Sequence, residues 1–342
     1  MKVFVTRLIP QAGLDLLEKA GATLTVHQRD EEAGVERSAL LDGVRSHDVL
    51  LPLLTEPIDR EVMSTNPNLL GIAQMAVGFN NIDVDVATEL GIPVANTPGV
   101  LTEATADFTW AMLMAIARRI PESHNYMVGG RYQIWGPNLL LGADVGPGPD
   151  GERKTIGIIG YGRIGEAVAR RAAGFSMDIL AYDPFAREVI DGDDKAEWAE
   201  LDDLLERSDF VTLHPPLTPE THHLIDAAAL GRMKKTAYLI NAARGPMIDE
   251  KALVEALRRN EIAGAALDVF EDEPAMAPGL AELPNVAIFP HVASATFATR
   301  SRMATMAAEN ALAHLEKRRA PNVVNPEVYD TDAYRQRVTR AS

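Results

Sequence analysis

The sequence predicts an α/β protein made of two parallel-sheet units, and three observations carry that prediction. The chain has 342 residues, enough for two domains with separate cores. From Lys2 to Val77, short apolar runs alternate with amphipathic ones in a β-α-β-α rhythm, which requires parallel strands joined by helices. Finally, Thr155–Glu166 joins a β-branched apolar run to glycines at positions 160, 162 and 165, opening a second α/β unit.

In the first unit, Lys2–Thr6 alternates like a strand, Gln11–Lys19 reads as a helix through Leu14, Leu16 and Leu17, and Ala22–His27 reads as a second strand. Ser38–Val44 predicts a helix, Val49–Leu51 a strand, Asp59–Met63 the start of a helix, and Leu69–Val77 a further strand. Gly78-Phe79-Asn80-Asn81 is turn chemistry, and consecutive amides there could cradle an anion; an ordinary strand-to-helix loop is the plainer reading. Leu101–Ile120 is apolar nearly all round, which predicts a helix buried between domains or between subunits. Gly129–Arg153 is rich in Gly and Pro and predicts an irregular arm anchored by Trp135 and Leu139–Leu141, docking on a partner.

In the second unit, Leu201–Glu206 and Asp249–Arg259 predict helices, the latter starting at a good cap. Phe210–His214, Lys235–Ile240, Ala263–Val269 and Val286–Phe289 predict strands. Ser294–Lys317 reads as a long Ala-rich helix, and the polar stretch after Pro326 as a loose tail.

Composition narrows the function. Hydrophobic content of 46% and charged content of 24% are those of an ordinary globular protein. Lys and Arg number 33 against 49 Asp and Glu, a formal charge of −16 that repels phosphate backbones and anionic membranes. No nucleic-acid or membrane partner is expected. The richest apolar run, Trp110–Ala117, is eight residues, far short of a membrane span. The absence of cysteine removes disulfides, thiolate nucleophiles and Cys-bound zinc, and His222-His223 lacks helical zinc spacing and reads as solvated. A cytoplasmic protein without a metal is expected.

The glycine stretch points to a dinucleotide. In G-x-G-x-x-G spacing the first glycine makes the tight turn, the second admits a pyrophosphate, and the third lets helix and strand pack closely. Free N–H groups and the dipole at the following helix favour the anion. A glycine turn joining strand to helix also occurs for structural reasons alone, but the apolar run Ile179–Tyr182 ends at Asp183, where an acid would meet the ribose hydroxyls.

Arg244, Glu273 and His291 each follow a predicted strand, at the sheet edge where open α/β sheets bind ligands. The guanidinium offers parallel donors to a carboxylate or polarised carbonyl. His291 would carry a proton, with Glu273 fixing its tautomer. Each has a dull alternative: Arg244 as a helix cap, Glu273 as solvated charge in Glu271-Asp272-Glu273, His291 as structural.

The segments Ala76–Asp83, Asn96–Thr102, Ile158–Gly165, Asn241–Gly245, Leu267–Pro274 and Pro290–Thr296, in this order, resemble the D-specific 2-hydroxyacid dehydrogenases. Among these the glyoxylate/hydroxypyruvate reductases are most similar, over nearly the whole length from Lys2 to about Asn325. The resemblance implies two Rossmann-like/flavodoxin-like parallel-sheet domains with a cleft that closes to exclude water. The substrate domain would be residues 1–100 plus 294–342, and the dinucleotide domain 101–293. It implies Arg244 as substrate-binding arginine with Glu273 and His291 as the acid/base pair. Leu53, Leu54, Val77, Gly78 and Ser294 would line the substrate site, overturning the plainer reading of the Val77–Gly78 turn. The implied cofactor residues are Thr105, Gly160, Gly162, Arg163, Ile164, Gly165, Asp183, His214, Pro215, Pro216, Thr221, Ala242, Ala243, Arg244, Asp268 and His291.

The implied reaction is reduction of glyoxylate or hydroxypyruvate to the D-2-hydroxy acid by a homodimer. NAD(H) is preferred through Asp183, while Arg187 keeps NADP(H) open. Alternatives are a 3-phosphoglycerate or D-lactate type dehydrogenase, or a dinucleotide-sensing corepressor-like binding protein. The chain departs from the pattern at Leu139, where mammalian-type relatives place a second tryptophan, and in a longer Gly/Pro-rich stretch at Gly142–Lys154.

Overall fold

Strand residues alternate between two apolar layers, and this sorts both units of the chain into helix–sheet–helix sandwiches. The computed structural model describes residues 1–30 and 33–340. It divides into one unit of Met1–Leu101 with Ala295–Ser342, and a second of Thr102–Ser294. Leu101 groups with the first and Ser294 with the second.

The first unit holds β1 (Lys2–Arg7), β2 (Thr23–Gln28), β3 (Val49–Leu51), β4 (Gly71–Ala73) and β5 (Val94–Ala95), all parallel, in the order β2-β1-β3-β4-β5. Val3, Val5, Val49, Leu51 and Ala73 feed one core; Phe4, Leu50 and Ile72 feed the other. The first core is closed by the helix Phe297–Leu315, whose Ala304, Ala307, Ala308 and Ala311 meet Leu14 and Leu17 of the helix Gln11–Lys19. The two helices approach so closely that a Cβ on Gly13 would collide with the backbone of Ala304.

The second unit holds β6 (Thr155–Ile159), β7 (Asp178–Tyr182), β8 (Glu197–Trp198), β9 (Phe210–Leu213), β10 (Tyr238–Asn241), β11 (Gly264–Leu267) and β12 (Val286–Ile288). All are parallel, in the order β12-β11-β10-β9-β6-β7-β8, so the direction of winding reverses between β6 and β9. That switch point is where such sheets bind dinucleotides. Ile159, Val211, Leu213, Leu239 and Leu267 enter one core, Ile156, Ile158, Phe210, Ile240 and Ala266 the other.

Four expectations change. The all-apolar helix runs Thr102–Ala117 and is buried within its own unit: Met112, Leu113 and Ile116 pack with Ala167, Val168 and Ala172 of the helix Arg163–Gly174. Trp110 Nε1 donates to Val168 O at 3.2 Å, and its ring stacks on Phe175. Arg119 then turns left-handed, φ 51°, and a separate helix Ile120–Val128 follows. The arm after it is irregular, but Trp135 is 73% exposed and anchors nothing in this chain; Val145 is the buried residue and Ala143 N donates to Ala117 O. The strand expected over Leu69–Val77 is regular only at Gly71–Ala73; beyond it Gln74 N still donates to Ala95 O and Met75 N to Pro52 O, after which the chain turns.

The fourth change is the tail, which is ordered: a 3-10 turn Pro326–Asp330 leads to the helix Asp332–Arg340. Arg337, 8% exposed, donates to the carbonyls of Asn66, Pro67, Leu69 and Leu90, so a charged side chain ties the tail to two turns of the first unit. Burial pulls its pKa down to about 10, still charged near neutrality.

His314, buried on the helix Phe297–Leu315, has its ring against Gly71, and neither ring nitrogen has a hydrogen-bond partner among the described residues. Burial pushes its pKa down to about 4, the Ile72 backbone opposing in part. An unfolded chain takes up a proton near pH 6.5 that the folded one refuses until about pH 4. His314 therefore leaves stability intact above pH 6.5 and removes about 3 kcal/mol as pH falls to 4. The unfolding free energy of wild type minus that of His314→Leu, measured in urea, should drop by roughly that amount between pH 7 and pH 4. A pH-independent difference would refute the assignment.

Candidate active site

Arg244, Glu273 and His291 stand past the carboxyl ends of three neighbouring strands, β10, β11 and β12. Asn241 ends β10 fully buried and closes the turn after it, its Nδ2 donating to Arg244 O at 2.9 Å and its Oδ1 accepting from Ala243 N at 2.9 Å. Ala242 and Ala243 lie in this turn. Gly245 then passes against Phe270 so closely that a Cβ there would overlap the Phe270 carbonyl. The Arg244 guanidinium, partly buried, makes one hydrogen bond among the described residues, to Ala243 O at 2.6 Å. Four of its five N–H donors are left for a ligand. Burial lowers its pKa, the nearby Glu273 charge working the other way.

Asp268, just past β11 and fully buried, organises the histidine turn. Its backbone O accepts from His291 N at 2.9 Å, and its two carboxyl oxygens accept from Val292 N and Ala293 N, each at 2.8 Å. His291 is thereby held at φ 54°, a left-handed conformation that non-glycine residues seldom adopt. Desolvation raises the Asp268 pKa, opposed by these two amides and by His291. His291 Nδ1 lies 2.8 Å from Glu273 Oε1. A carboxylate only accepts, so Nδ1 carries the hydrogen and Nε2 is the atom left to exchange a proton. Ser294, 9% exposed, closes the segment.

The loop bearing Glu273 has supports that the sequence reading missed. Glu250, buried, accepts from Ala277 N at 2.6 Å, while Glu271 accepts from Glu250 N at 3.1 Å and from His223 Nε2 at 2.7 Å. Desolvation raises the Glu250 pKa. His223 is therefore half-buried and engaged, not solvated as expected, and its backbone N–H donates to Pro246 O. No spacing signal marks this network, because its members lie on two loops and at the start of the helix Glu250–Arg258.

The predicted cofactor residues of β6, β7 and β9 also converge. Gly160 has φ 87°, and a Cβ there would overlap the backbone N of Pro215. Gly160 N donates to Tyr182 O and His214 N to Ile159 O, which fixes the His214-Pro215-Pro216 loop beside the glycine turn. Thr221 Oγ1 folds that loop by donating to Pro216 O at 2.8 Å. The His214 imidazole meets Thr212 Oγ1 at 2.9 Å, and burial carries its pKa down to about 3, so it is neutral. Gly162 precedes the helix Arg163–Gly174, whose first N–H groups have no intrahelical acceptor. A Cβ on Gly165 would strike Gly160 O. Arg163 is exposed at the helix start, Ile164 packs on the core, and Thr105 is buried in the first turn of Thr102–Ala117.

Asp183 accepts from Tyr161 N at 2.9 Å and Phe185 N at 2.9 Å. Arg187 turns elsewhere, over the Trp198 ring at 4.0 Å and 3.6 Å from Asp191. A glycine cradle that side chains would fill, a free helix N-terminus and an acid after β7 fit a nicotinamide dinucleotide.

In the first unit, Leu53 and Leu54 are partly buried on the loop after β3, and Val77 and Gly78 on the turn that ends at Asn81. Asn81 Nδ2 donates to Leu53 O at 3.1 Å, so these two predicted substrate loops are joined. Among the described residues no cluster of metal-ligating side chains occurs, and no helix is long and apolar enough to cross a membrane.

Comparison with known proteins agrees with this geometry. The family described as D-isomer specific 2-hydroxyacid dehydrogenase, NAD binding domain, matches residues 110–293. A glyoxylate reductase of Korarchaeum cryptofilum is 49% identical over 329 residues, 96% of each chain. The crystal structure of the TT0316 protein from Thermus thermophilus superposes with a TM-score of 0.86 at 42% identity, covering 95% of this chain and 100% of that one. An NADPH-dependent glyoxylate/hydroxypyruvate reductase of Sinorhizobium meliloti, solved with NADP and malonate, gives a TM-score of 0.78 at 30% identity, covering 94% and 96%.

Proposed function

We propose, from the premise that the chain belongs to the D-isomer specific 2-hydroxyacid dehydrogenase family, that it reduces glyoxylate, and hydroxypyruvate beside it, to the 2-hydroxy acid. The chain is an oxidoreductase acting on a CH–OH group with a nicotinamide dinucleotide. The observation that carries the reading is the Glu273–His291 pair, with Nε2 unengaged among the described residues, in the same unit as an under-used Arg244 guanidinium.

When bound, the nicotinamide supplies the hydride that the carbonyl carbon accepts. The protein supplies the remaining groups. Arg244 binds the substrate carboxylate and polarises the keto oxygen through its free N–H groups. In the first unit, the Val77–Gly78 turn is the proposed carboxylate cradle. His291 gives the Nε2 proton to the forming alkoxide, and Glu273 keeps the ring oriented. Residues 1–101 with the C-terminal segment act as the substrate domain in this reading, and Thr102–Ser294 as the cofactor domain.

NADH is the preferred cofactor in this reading. The support is Asp183, an acid that repels a 2′-phosphate, together with Arg187 held away on Trp198 and Asp191. A homodimer is part of the reading too, supported by Met127, Val128, Ile134, Trp135 and Leu141, each more than half exposed on the helix Ile120–Val128 or the arm after it. A cytoplasmic location goes with it, supported by a chain with no cysteine for the disulfides of an oxidising compartment.

Steady-state assays with glyoxylate, hydroxypyruvate, pyruvate and 3-phosphohydroxypyruvate should show fastest turnover on the first two; silence on both would reject the reading. His291→Ala should lower kcat by about 10²- to 10⁴-fold with NADH affinity kept. Arg244→Lys should cost roughly 10- to 100-fold in kcat/KM for the acid. Full activity in both variants would place the chemistry elsewhere. Asp183→Ser should raise the NADPH/NADH ratio of kcat/KM, and an unchanged ratio would remove Asp183 from the ribose site. Sedimentation should give a dimer that Trp135→Arg weakens; a wild-type monomer at assay concentrations would count against the arm as an interface.

A further inference from the structure

Three successive peptide planes of the Ala76–Phe79 turn have their carbonyls held. Ala76 O accepts from Thr97 N at 2.9 Å. Val77 O accepts from Asn96 Nδ2 at 2.7 Å, and Gly78 O from Gln74 Nε2 at 2.6 Å. In a trans peptide the N–H of the next residue points opposite to the carbonyl. Pinning these three oxygens therefore fixes the N–H directions of Val77, Gly78 and Phe79. None of those three amides donates a hydrogen bond among the described residues. Successive unpaired backbone amides in a turn are the makings of an anion-binding concavity.

The pinning side chains are themselves immobilised. Gln74 is fully buried and makes a reciprocal amide pair with Asn81, Nε2 to Oδ1 at 2.9 Å and Nδ2 to Oε1 at 3.1 Å. Asn81 Nδ2 also reaches Leu53 O and Glu56 O, while the buried Glu56 carboxylate accepts from Leu53 N at 2.7 Å and Thr6 Oγ1 at 2.8 Å. Asn96 is 9% exposed. Among the described residues nothing else holds the Val77 and Gly78 carbonyls.

We propose that Asn96 and Gln74 are positioning residues that set the affinity of this enzyme for the carboxylate of its 2-oxo acid. They act through the peptide planes of Val77 and Gly78, without touching the substrate. The inference rests on the proposed reading of the Val77–Gly78 turn as the carboxylate cradle.

Asn96→Leu and Gln74→Met test it, with Gln74→Glu as an isosteric change that keeps the acceptor to Asn81 and turns a carboxylate oxygen toward Gly78 O. Each should raise the KM for glyoxylate by about tenfold, the worth of one well-made hydrogen bond, with kcat and the KM for NADH nearly unchanged. Cooperative thermal unfolding screens for variants that fail to fold, and Gln74→Glu carries the test if the apolar ones do. Val77→Pro, which deletes a cradle N–H, separates the two levels. If it raises the KM while the folded side-chain variants do not, the cradle stands and the positioning role is overturned. If none of the variants moves the KM, the cradle reading fails and takes the inference with it. A loss in kcat with KM unmoved also overturns the proposal.

Discussion

The buried carboxylate of Asp268 is the interaction on which the candidate site depends. With one carbonyl and two carboxyl oxygens it fastens three consecutive amides, His291 to Ala293, to the end of β11. That grip offsets the cost of a left-handed histidine, about 1–2 kcal/mol for an L-residue. It also brings the ring to Glu273, 18 residues earlier in the chain. A carboxylate buried this completely is stable only because both oxygens are engaged. The same logic recurs at Asn241, where one amide closes the turn that presents Arg244. The sheet sets where the strands end, and a buried polar side chain at each end sets where the chemistry-bearing residue goes.

Much of this was legible in the sequence. The glycine spacing, the acid after β7 and the order of strand-end residues are local patterns, and local patterns survive being read in one dimension. Gly160, Asp183 and the His214–Pro216 loop converge because adjacent parallel strands bring their ends together, which the β-α-β rhythm already implies. The strand-end rule offered Glu273 as a candidate partner for His291, and the family resemblance supplied the pairing that the 2.8 Å contact shows.

What was not legible has a common physical character. The Arg337 anchor, the Gln74–Asn81 amide pair and the His223–Glu271 contact are all hydrogen bonds between polar side chains and groups on other turns or loops. Polar side chains of this kind read as surface in a linear scan; burial with satisfied partners is a property of the folded arrangement. The tail read as loose because its helix is polar; the buried Val328 and Tyr329 and the Arg337 hydrogen bonds hold it in place of an apolar stripe along that helix. The apolar helix Thr102–Ala117 finds cover in its own unit, where Met112, Leu113 and Ile116 pack with Ala167, Val168 and Ala172, a neighbour that a linear scan does not reveal.

The first unit is assembled from both ends of the chain: its sheet comes from the opening hundred residues, while the helix that closes one core and the arginine that ties two of its turns come after residue 294. The second unit is one unbroken stretch. During synthesis the usual order, N-terminal domain first, is therefore inverted. The ribosome releases the dinucleotide-type unit with all its strands while β1–β5 still lack their last helix. Until that segment emerges, the apolar face of β1, β3 and β4 has only the helix Gln11–Lys19 over it, and exposed apolar surface of this kind is what makes incomplete folds prone to aggregate.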